Sequence, residues 1–311
     1  MGERANQRHA SAATGTPLGD GLSSKGVGRA GPVAAQPFLA ADVGGTHARI
    51  GLVVAAPGGQ SVKVLHYHRY SCADWSGLPA MLGDFVAQLE ASPHAALCSH
   101  LSDCAVACAG YVLDDAIVNG NLPWPVSIGE IRAALGIRQL AVINDFEAVA
   151  YATQFIGADD AMSIIESSRP ATRGPMLVMG PGTGLGSAVL LPGQPRAQVL
   201  ATEAGQISLA PGTEREIEIL RLFRRERSHV SFEDALSGPG LLKLYGALCE
   251  LRGCTERQLT PAEITAAALA GNDAAAVEAL QVFCGLLGSF VGDLVLLYGA
   301  RAVYLAGGIL P

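Results

Sequence analysis

From residue 38 onward, short apolar runs alternate with glycine-rich turns and longer helical patterns. Phe38-Leu39-Ala40-Ala41-Asp42-Val43 reads as a buried strand that ends in Gly44-Gly45-Thr46-His47, and residues 48–54 read as its return strand. Residues 62–70 alternate and predict a third strand. A helix is expected over 78–90, then buried strands at 104–109 and 140–143, the last leading into a helix that starts near Glu147. Residues 176–179 predict another short buried strand. It runs into Gly180-Pro181-Gly182-Thr183-Gly184-Leu185-Gly186 and returns over 187–191. A strand begins near Gln198 and ends at Thr202, and a charged amphipathic helix is expected over 214–227. The Ser231 to Asp234 spacing has the form of a capping box. Helices follow at 241–251, from Thr260 with Pro261 in its first turn, and over 274–297. A strand at 302–306 ends in Gly307-Gly308-Ile309. Strands interleaved with helices in this order predict an α/β layer.

Composition narrows the picture. The 311 residues, half of them hydrophobic, suffice for two domains or one large one. Residues 1–36, rich in Ala, Gly and Ser, have no apolar periodicity and no continuous apolar stretch of a secretory signal. They predict a disordered tail or an upstream start-codon artefact. The net charge of −7, with no Lys/Arg cluster, argues against a nucleic-acid surface. Mean hydropathy of +0.32 prompts a search for membrane spans. The uncharged run 279–292 is shorter than a bilayer requires, so a core helix and no membrane partner are expected. Seven cysteines without CxxC or paired Cys/His spacing predict buried free thiols in a reducing compartment. His66 and His68 would share one strand face as surface residues, with no third ligand to make a metal site.

Candidate chemistry concentrates at strand ends. Asp145 follows an apolar strand and opens a helix, at the rim where open α/β sheets place their chemistry. A helix cap is the alternative reading. Two glycine hairpins with a hydroxyl at the tip, around Thr46 and Thr183, expose backbone N–H groups and admit a phosphate closely. Each alone is an ordinary hairpin; two together suggest a phosphate chain gripped from both sides. Asp42 suits Mg²⁺, directly or through water. Asn121 and Trp124, in a turn-rich loop, suit a sugar or a packing turn. Glu203 and Gln206 suit polyol recognition, whereas Glu233 suits either a sugar or a helix dipole. Gly307 and Gly308 let a flat ligand such as adenine approach the backbone.

The ordered set Ala41-Asp42-Val43-Gly44-Gly45-Thr46, Ile143-Asn144-Asp145-Phe146-Glu147-Ala148, Gly182-Thr183-Gly184-Leu185-Gly186, Ser237-Gly238-Pro239-Gly240-Leu241 and Leu305-Ala306-Gly307-Gly308-Ile309 resembles the bacterial glucokinase family, of the sugar kinase/hexokinase/actin-like ATPase superfamily. The resemblance runs from about Phe38 to Pro311. It implies a two-domain actin-like ATPase (ribonuclease H-like) α/β fold, with a cleft between a small α/β domain (37–143) and a larger α+β domain (144–311). It further implies a large domain cut short at its C-terminus, since the family continues with a helix returning to the small domain; exposed apolar surface should follow. The implied activity is ATP- and Mg²⁺-dependent phosphorylation of glucose at O6 in cytoplasmic glycolysis, with a homodimer as an option. Asp145 would be the catalytic base, and Asn144, Glu203 and Glu233 would hold the sugar. Asp42, Gly44, Gly45 and Thr46 would form the first phosphate loop, Gly182, Thr183 and Gly184 the second, and Gly307 and Gly308 the adenosine wall. Gln206 stands where the family usually has histidine, Ala204 replaces a glycine, and His47 stands where asparagine is common. The alternatives are a non-catalytic sugar or nucleotide binder, an inactive truncated kinase, or a kinase of another hexose.

Overall fold

The structure is a computed structural model and describes residues 36–55, 62–118, 122–157, 159–165, 173–193 and 196–309. The expected tail lies almost wholly outside the described residues.

Two sheets repeat one pattern. The first has β1 (Pro37–Val43), β2 (His47–Ala55), β3 (Val62–Ser71), β4 (Asp103–Cys108) and, further along the chain, Gln139–Asn144. Between β3 and β4 come α1 (Leu78–Glu90) and α2 (Ala95–Cys98); after β4 come β5 (Tyr111–Leu113), β6 (Ala116–Val118), β7 (Val126–Ser127) and α3 (Ile128–Leu135), which leads into β8 (Gln139–Asn144). The strand order is β3-β2-β1-β4-β8, with β1–β2–β3 antiparallel and β4 and β8 parallel to β1. Strands β5-β6-β7 form a small separate sheet.

After α4 (Asp145–Ala152), the second sheet is built from β9 (Met176–Pro181), β10 (Leu185–Leu191), β11 (Gln198–Thr202) and the final strand β12 (Ala302–Leu305). Its order is β11-β10-β9-β12, again an antiparallel triplet with the next strand parallel to its first member. Each glycine turn joins the first two strands of its triplet, so the two turns occupy equivalent places. Between β11 and β12 lie α5 (Glu214–Phe223), α6 (Gly238–Arg252), α7 (Pro261–Ala270) and α8 (Ala274–Tyr298).

Each sheet has its own core. Leu39, Ala41 and Val43 alternate along β1 and meet the 78-81-82-85-89 stripe of α1, one helical face three to four residues apart. Leu177, Met179 and Val189 meet α6 and α8 on one face of the second sheet. On its other face a smaller cluster joins Ala150 of α4 to Val178, Ala188 and Leu190. The strand before α4 therefore belongs to the first sheet, and α4 itself packs on the second.

Several expectations need correction. Strand β8 is not a buried strand: it lies at the edge of its sheet among the described residues, with Gln139 and Ala141 exposed and the other four residues half-buried. The Ser231/Asp234 bonds form as a capping box would, Asp234 Oδ2 accepting from Ser231 N at 3.0 Å, but they close a turn; α6 starts later, capped by Ser237. Glu233 is therefore not at a helix start, and the dipole reading fails. Helix α5 stops at Phe223, short of residue 227. Trp124 is buried in the first core and its indole N–H donates to Cys72 O at 3.0 Å, which makes it a packing residue. His66 stacks against Phe85 and His94. Among the described residues no cluster of three or more His, Cys, Asp or Glu side chains could hold a metal. Helix α8, at 25 residues, is long and apolar enough to cross a membrane, contrary to the expectation from its uncharged stretch. One face, including Ala276, Ala279, Phe283, Leu286 and Phe290, nevertheless packs into the second core.

Candidate active site

Asp145 stands where the chain passes from one sheet to the other. Strand β8 ends at Asn144, whose extended backbone makes it the N-cap of α4. Its Oδ1 accepts from Phe146 N at 2.9 Å and Glu147 N at 3.3 Å, and its Nδ2 donates to Gly110 O at 3.2 Å. The cap is thus Asn144, and Asp145 is the first helical residue. Asp145 Oδ1 accepts from Phe146 N at 2.9 Å. Burial raises the Asp145 carboxyl above the ordinary carboxylate value; the Phe146 N–H bond pulls it back, and the charge of Asp42 adds to the rise.

A cavity of about 550 Å³ opens beside it. Gly44 and Gly45 form one wall, at the β1–β2 turn closed by Gly44 N donating to His47 O at 3.0 Å. Gly182, Thr183 and Gly184 form another, at the β9–β10 turn, where Gly182 N donates to Gly184 O at 2.7 Å. This second turn is anchored from behind: Gly238 N, at the start of α6, donates to Gly182 O at 2.8 Å. Gly307 completes that side. It has φ of 115° and lies so close to Pro181 O that a side chain would collide with it, so only glycine brings β12 back onto the loop.

The far wall carries two more carboxylates. Glu203 follows β11 in a short helical turn, and Glu233 sits on the loop before α6. Both Glu233 oxygens are engaged: Oε2 accepts from Leu185 N at 2.7 Å and Oε1 from Gln206 Nε2 at 2.8 Å. Gln206 O in turn meets His229 Nε2 at 2.9 Å. Burial, then the charges of Glu233 and Asp145, push the Glu203 carboxyl above its ordinary value. The described lining holds three carboxylates and no lysine or arginine.

Eleven of the residues singled out from sequence therefore line one cavity: Gly44, Gly45, Asn144, Asp145, Gly182, Thr183, Gly184, Glu203, Gln206, Glu233 and Gly307. Asp42, Thr46 and Gly308 do not line it. Asp42 Oδ2 accepts from Arg49 Nη1 at 2.8 Å, and its charge still reaches Asp145. Thr46 and Gly308 are exposed at their turns. Asn121 lies outside the described residues. Sequence reasoning missed Ser187 and Thr202, which also line the cavity, with hydroxyls 3.3 Å apart; Thr202 Oγ1 accepts from Ala204 N at 2.9 Å and fixes the turn that carries Glu203. Their only sequence signal was adjacency to motifs already noted.

A sequence model of the glucokinase family matches residues 39–311. The chain is 44% identical over 277 residues to a glucokinase-like protein of Xylella fastidiosa, covering 88% of this chain and 80% of that one. It is 39% identical over 278 residues to a glucokinase of Chromobacterium violaceum, covering 89% and 76%. A solved glucokinase from an Antarctic psychrotroph superposes with a TM-score of 0.74 at 34% identity, covering 89% of this chain and 84% of that one. With its two like sheets, each holding a glycine turn beside a shared cavity, and with these matches, the chain has the actin-like ATPase fold and belongs to the glucokinase family.

Proposed function

We propose that the protein transfers the γ-phosphoryl group of ATP to the 6-hydroxyl of glucose, with Asp145 as general base. The observation that carries this reading is the position of Asp145 in one cavity with both glycine turns and with Glu203, Gln206 and Glu233. A phosphate chain suits the turns, where backbone N–H groups approach closely. A neutral polyol suits the opposite wall, since carboxylates accept from hydroxyls without a charge of their own to offset.

The reaction asks the protein for alignment and charge neutralisation. Asp145 Oδ1 is held by Phe146 N, which leaves Oδ2 for the sugar hydroxyl. The hydroxyl oxygen attacks the γ-phosphorus, ADP leaves, and the hydroxyl proton passes to Asp145. Glu203 and Gln206 take the remaining sugar hydroxyls, with Asn144 and Asn121 assigned to the sugar by motif alone. Asn144 contributes mainly by fixing the start of α4, because its amide is already engaged at both ends. Glu233 ties the second phosphate turn to the sugar wall through Leu185 N and Gln206. Thr46 and Thr183 add hydroxyl donors, and Gly307 and Gly308 flank the adenosine.

Asp42 fits a hard cation held through water. It is an exposed carboxylate beside the first turn, with one oxygen on Arg49. In a cavity whose described lining holds three carboxylates and no lysine or arginine, Mg²⁺ would supply the charge neutralisation. We place the boundary between the lobes at 143/144, so that closure of 37–143 onto 144–311 excludes water as a competing acceptor. Glucose phosphorylation of this kind would serve the entry to glycolysis, and we assign it to the cytoplasm.

Turnover of ATP plus glucose by the full chain, with Asp145→Asn beside it, tests the reading. Turnover lost in the variant with sugar binding kept supports it; comparable turnover removes Asp145 as base, and sugar binding without turnover in the parent protein leaves a binder. A kinase of another hexose is the second reading. It is favoured by the Gln206–Glu233 bond, which shapes the sugar wall with a neutral amide. A panel of glucose, mannose and N-acetylated hexoses separates the two.

A further inference from the structure

Cys249 and Cys254 meet at the C-terminal end of α6, the opposite end of the helix from Gly238. Gly253 adopts the left-handed conformation with φ of 65°. Gly253 N donates to Glu250 O at 3.0 Å and Cys254 N to Cys249 O at 2.9 Å. These two bonds define the helix-ending motif in which the sixth residue folds back over the first and their side chains touch. An apolar contact ordinarily fills that place; here both side chains are thiols, and they are within hydrogen-bonding reach of each other. Cys254 is exposed and Cys249 is 2% exposed. A disulfide needs Cα atoms about 5.5 Å apart, a separation that this fold-back favours.

The geometry points to a reversible intrachain disulfide between Cys249 and Cys254, formed by exchange with a small-molecule disulfide. The Cys254 thiolate attacks one sulfur of the small disulfide, RSSR; its S–S bond breaks and RS⁻ leaves. Cys249 gives up its proton and attacks the Cys254 sulfur, releasing the second RS⁻. Two protein thiols are oxidised, one RSSR is reduced, and the two protons end on the two released thiols. The order follows from access. Burial, and then the neighbouring thiol, push the Cys249 thiol up to about 11, so it resolves the mixed disulfide rather than starting the exchange.

The bond would pin the connection from α6 to α7 at its second residue. Pro261, the first residue of α7 just beyond that connection, lies beside Gly238, which holds the second phosphate turn. Cys249 is also linked through Tyr245 to Asp273, the N-cap of α8. Oxidation would thus stiffen the frame behind the cavity without touching it.

The test treats the full chain with oxidised glutathione and maps tryptic peptides without reduction. Trypsin cleaves after Arg252, between the two cysteines, so the bond appears as peptide 244–252 linked to 253–257. We expect the linked species to dominate, while the exposed Cys284 keeps glutathione as a mixed disulfide. In Cys249→Ser, glutathione on Cys254 should rise about tenfold, because its resolving thiol is gone. Should that variant not fold, Cys254→Ser, at an exposed position, should abolish the linked species and leave Cys249 unmodified. Glutathione held equally on Cys254 and Cys284 in the parent protein would overturn the proposal, as would modification of Cys249 in Cys254→Ser.

Discussion

The ring of Phe146 lies on the backbone of Gly186 with no room for a Cβ between them. This contact joins the residue after Asp145 to the strand after the second phosphate turn, so base and phosphate loop are held in one frame. Gly186→Ala should displace one or the other. Overpacking of this kind costs on the order of 1–3 kcal/mol, and a shift near 1 Å in the site costs about 100-fold in kcat. A thermal melt and a turnover assay on the same preparation check both effects.

Gly182→Ala is the matched opposite. A Cβ there meets nothing within 4 Å, so the fold should tolerate it and the melting temperature should stay near that of the parent. If a phosphate chain lies against this turn, KM for ATP should rise about tenfold, or about 1.4 kcal/mol of lost binding. An unchanged KM would remove Gly182 from the nucleotide site.

Asp145→Asn should cut kcat about a hundred- to ten-thousand-fold, the range for a general base. It should also melt higher at neutral pH. The folded-state pKa of Asp145 is raised, so the folded protein holds the proton more tightly than the unfolded chain does. Stability therefore falls as pH rises from the unfolded to the folded pKa, and the charged form is a net cost above that window. The asparagine has no such cost. A lower melting temperature in the variant at pH 7 would contradict the burial argument.

The same shift sets the pH profile. Activity should fall as pH drops through the raised pKa of Asp145, because the protonated acid cannot accept the hydroxyl proton. The acid limb of kcat/KM should therefore lie above the ordinary aspartate range, and the residual activity of Asp145→Asn should lack it.

Glu233→Ala removes the acceptor for both Leu185 N and Gln206 Nε2. KM for the sugar should rise about tenfold, with a smaller loss in kcat, since truncation leaves a backbone donor and an amide unpaired. It should also lower the raised pKa of Glu203, whose leading charged neighbour it deletes. Equal losses in kcat and kcat/KM with unchanged KM would place Glu233 at the transition state instead.

Arg49 and Asp42 form a pair that is 52% exposed on each side. Arg49→Ala should change stability by about 0.5 kcal/mol or less. Asp42→Asn should instead raise the Mg²⁺ concentration needed for half-maximal rate. A titration of rate against Mg²⁺ on both variants separates ion pairing from cation binding.

Much of this protein was legible in the one-dimensional pattern. The apolar run 38–43, the alternation in 62–70 and the helical pattern over 78–90 are local consequences of where side chains point, so these strands and this helix could be read with their turns. The glycine turns were equally local, because backbone approach depends on what is missing at one position. Ambiguity arose where one local pattern serves two ends. The Ser231/Asp234 bonds form in a turn as they would at a helix start, and Trp124 suited a sugar as well as a core.

The sequence by itself determined the main strands and helices, the two glycine turns and the carboxylate at a strand end, since each follows from near neighbours along the chain; α2, α3 and the small β5-β6-β7 sheet were not read from it. Only the tertiary structure decided that α4 leaves one sheet and packs on the other, that Asn144 rather than Asp145 caps it, and that Glu233 spends both oxygens on Leu185 and Gln206. Those outcomes depend on groups tens of residues apart competing for the same space and the same hydrogen bonds, and that competition exists only once the chain has closed on itself.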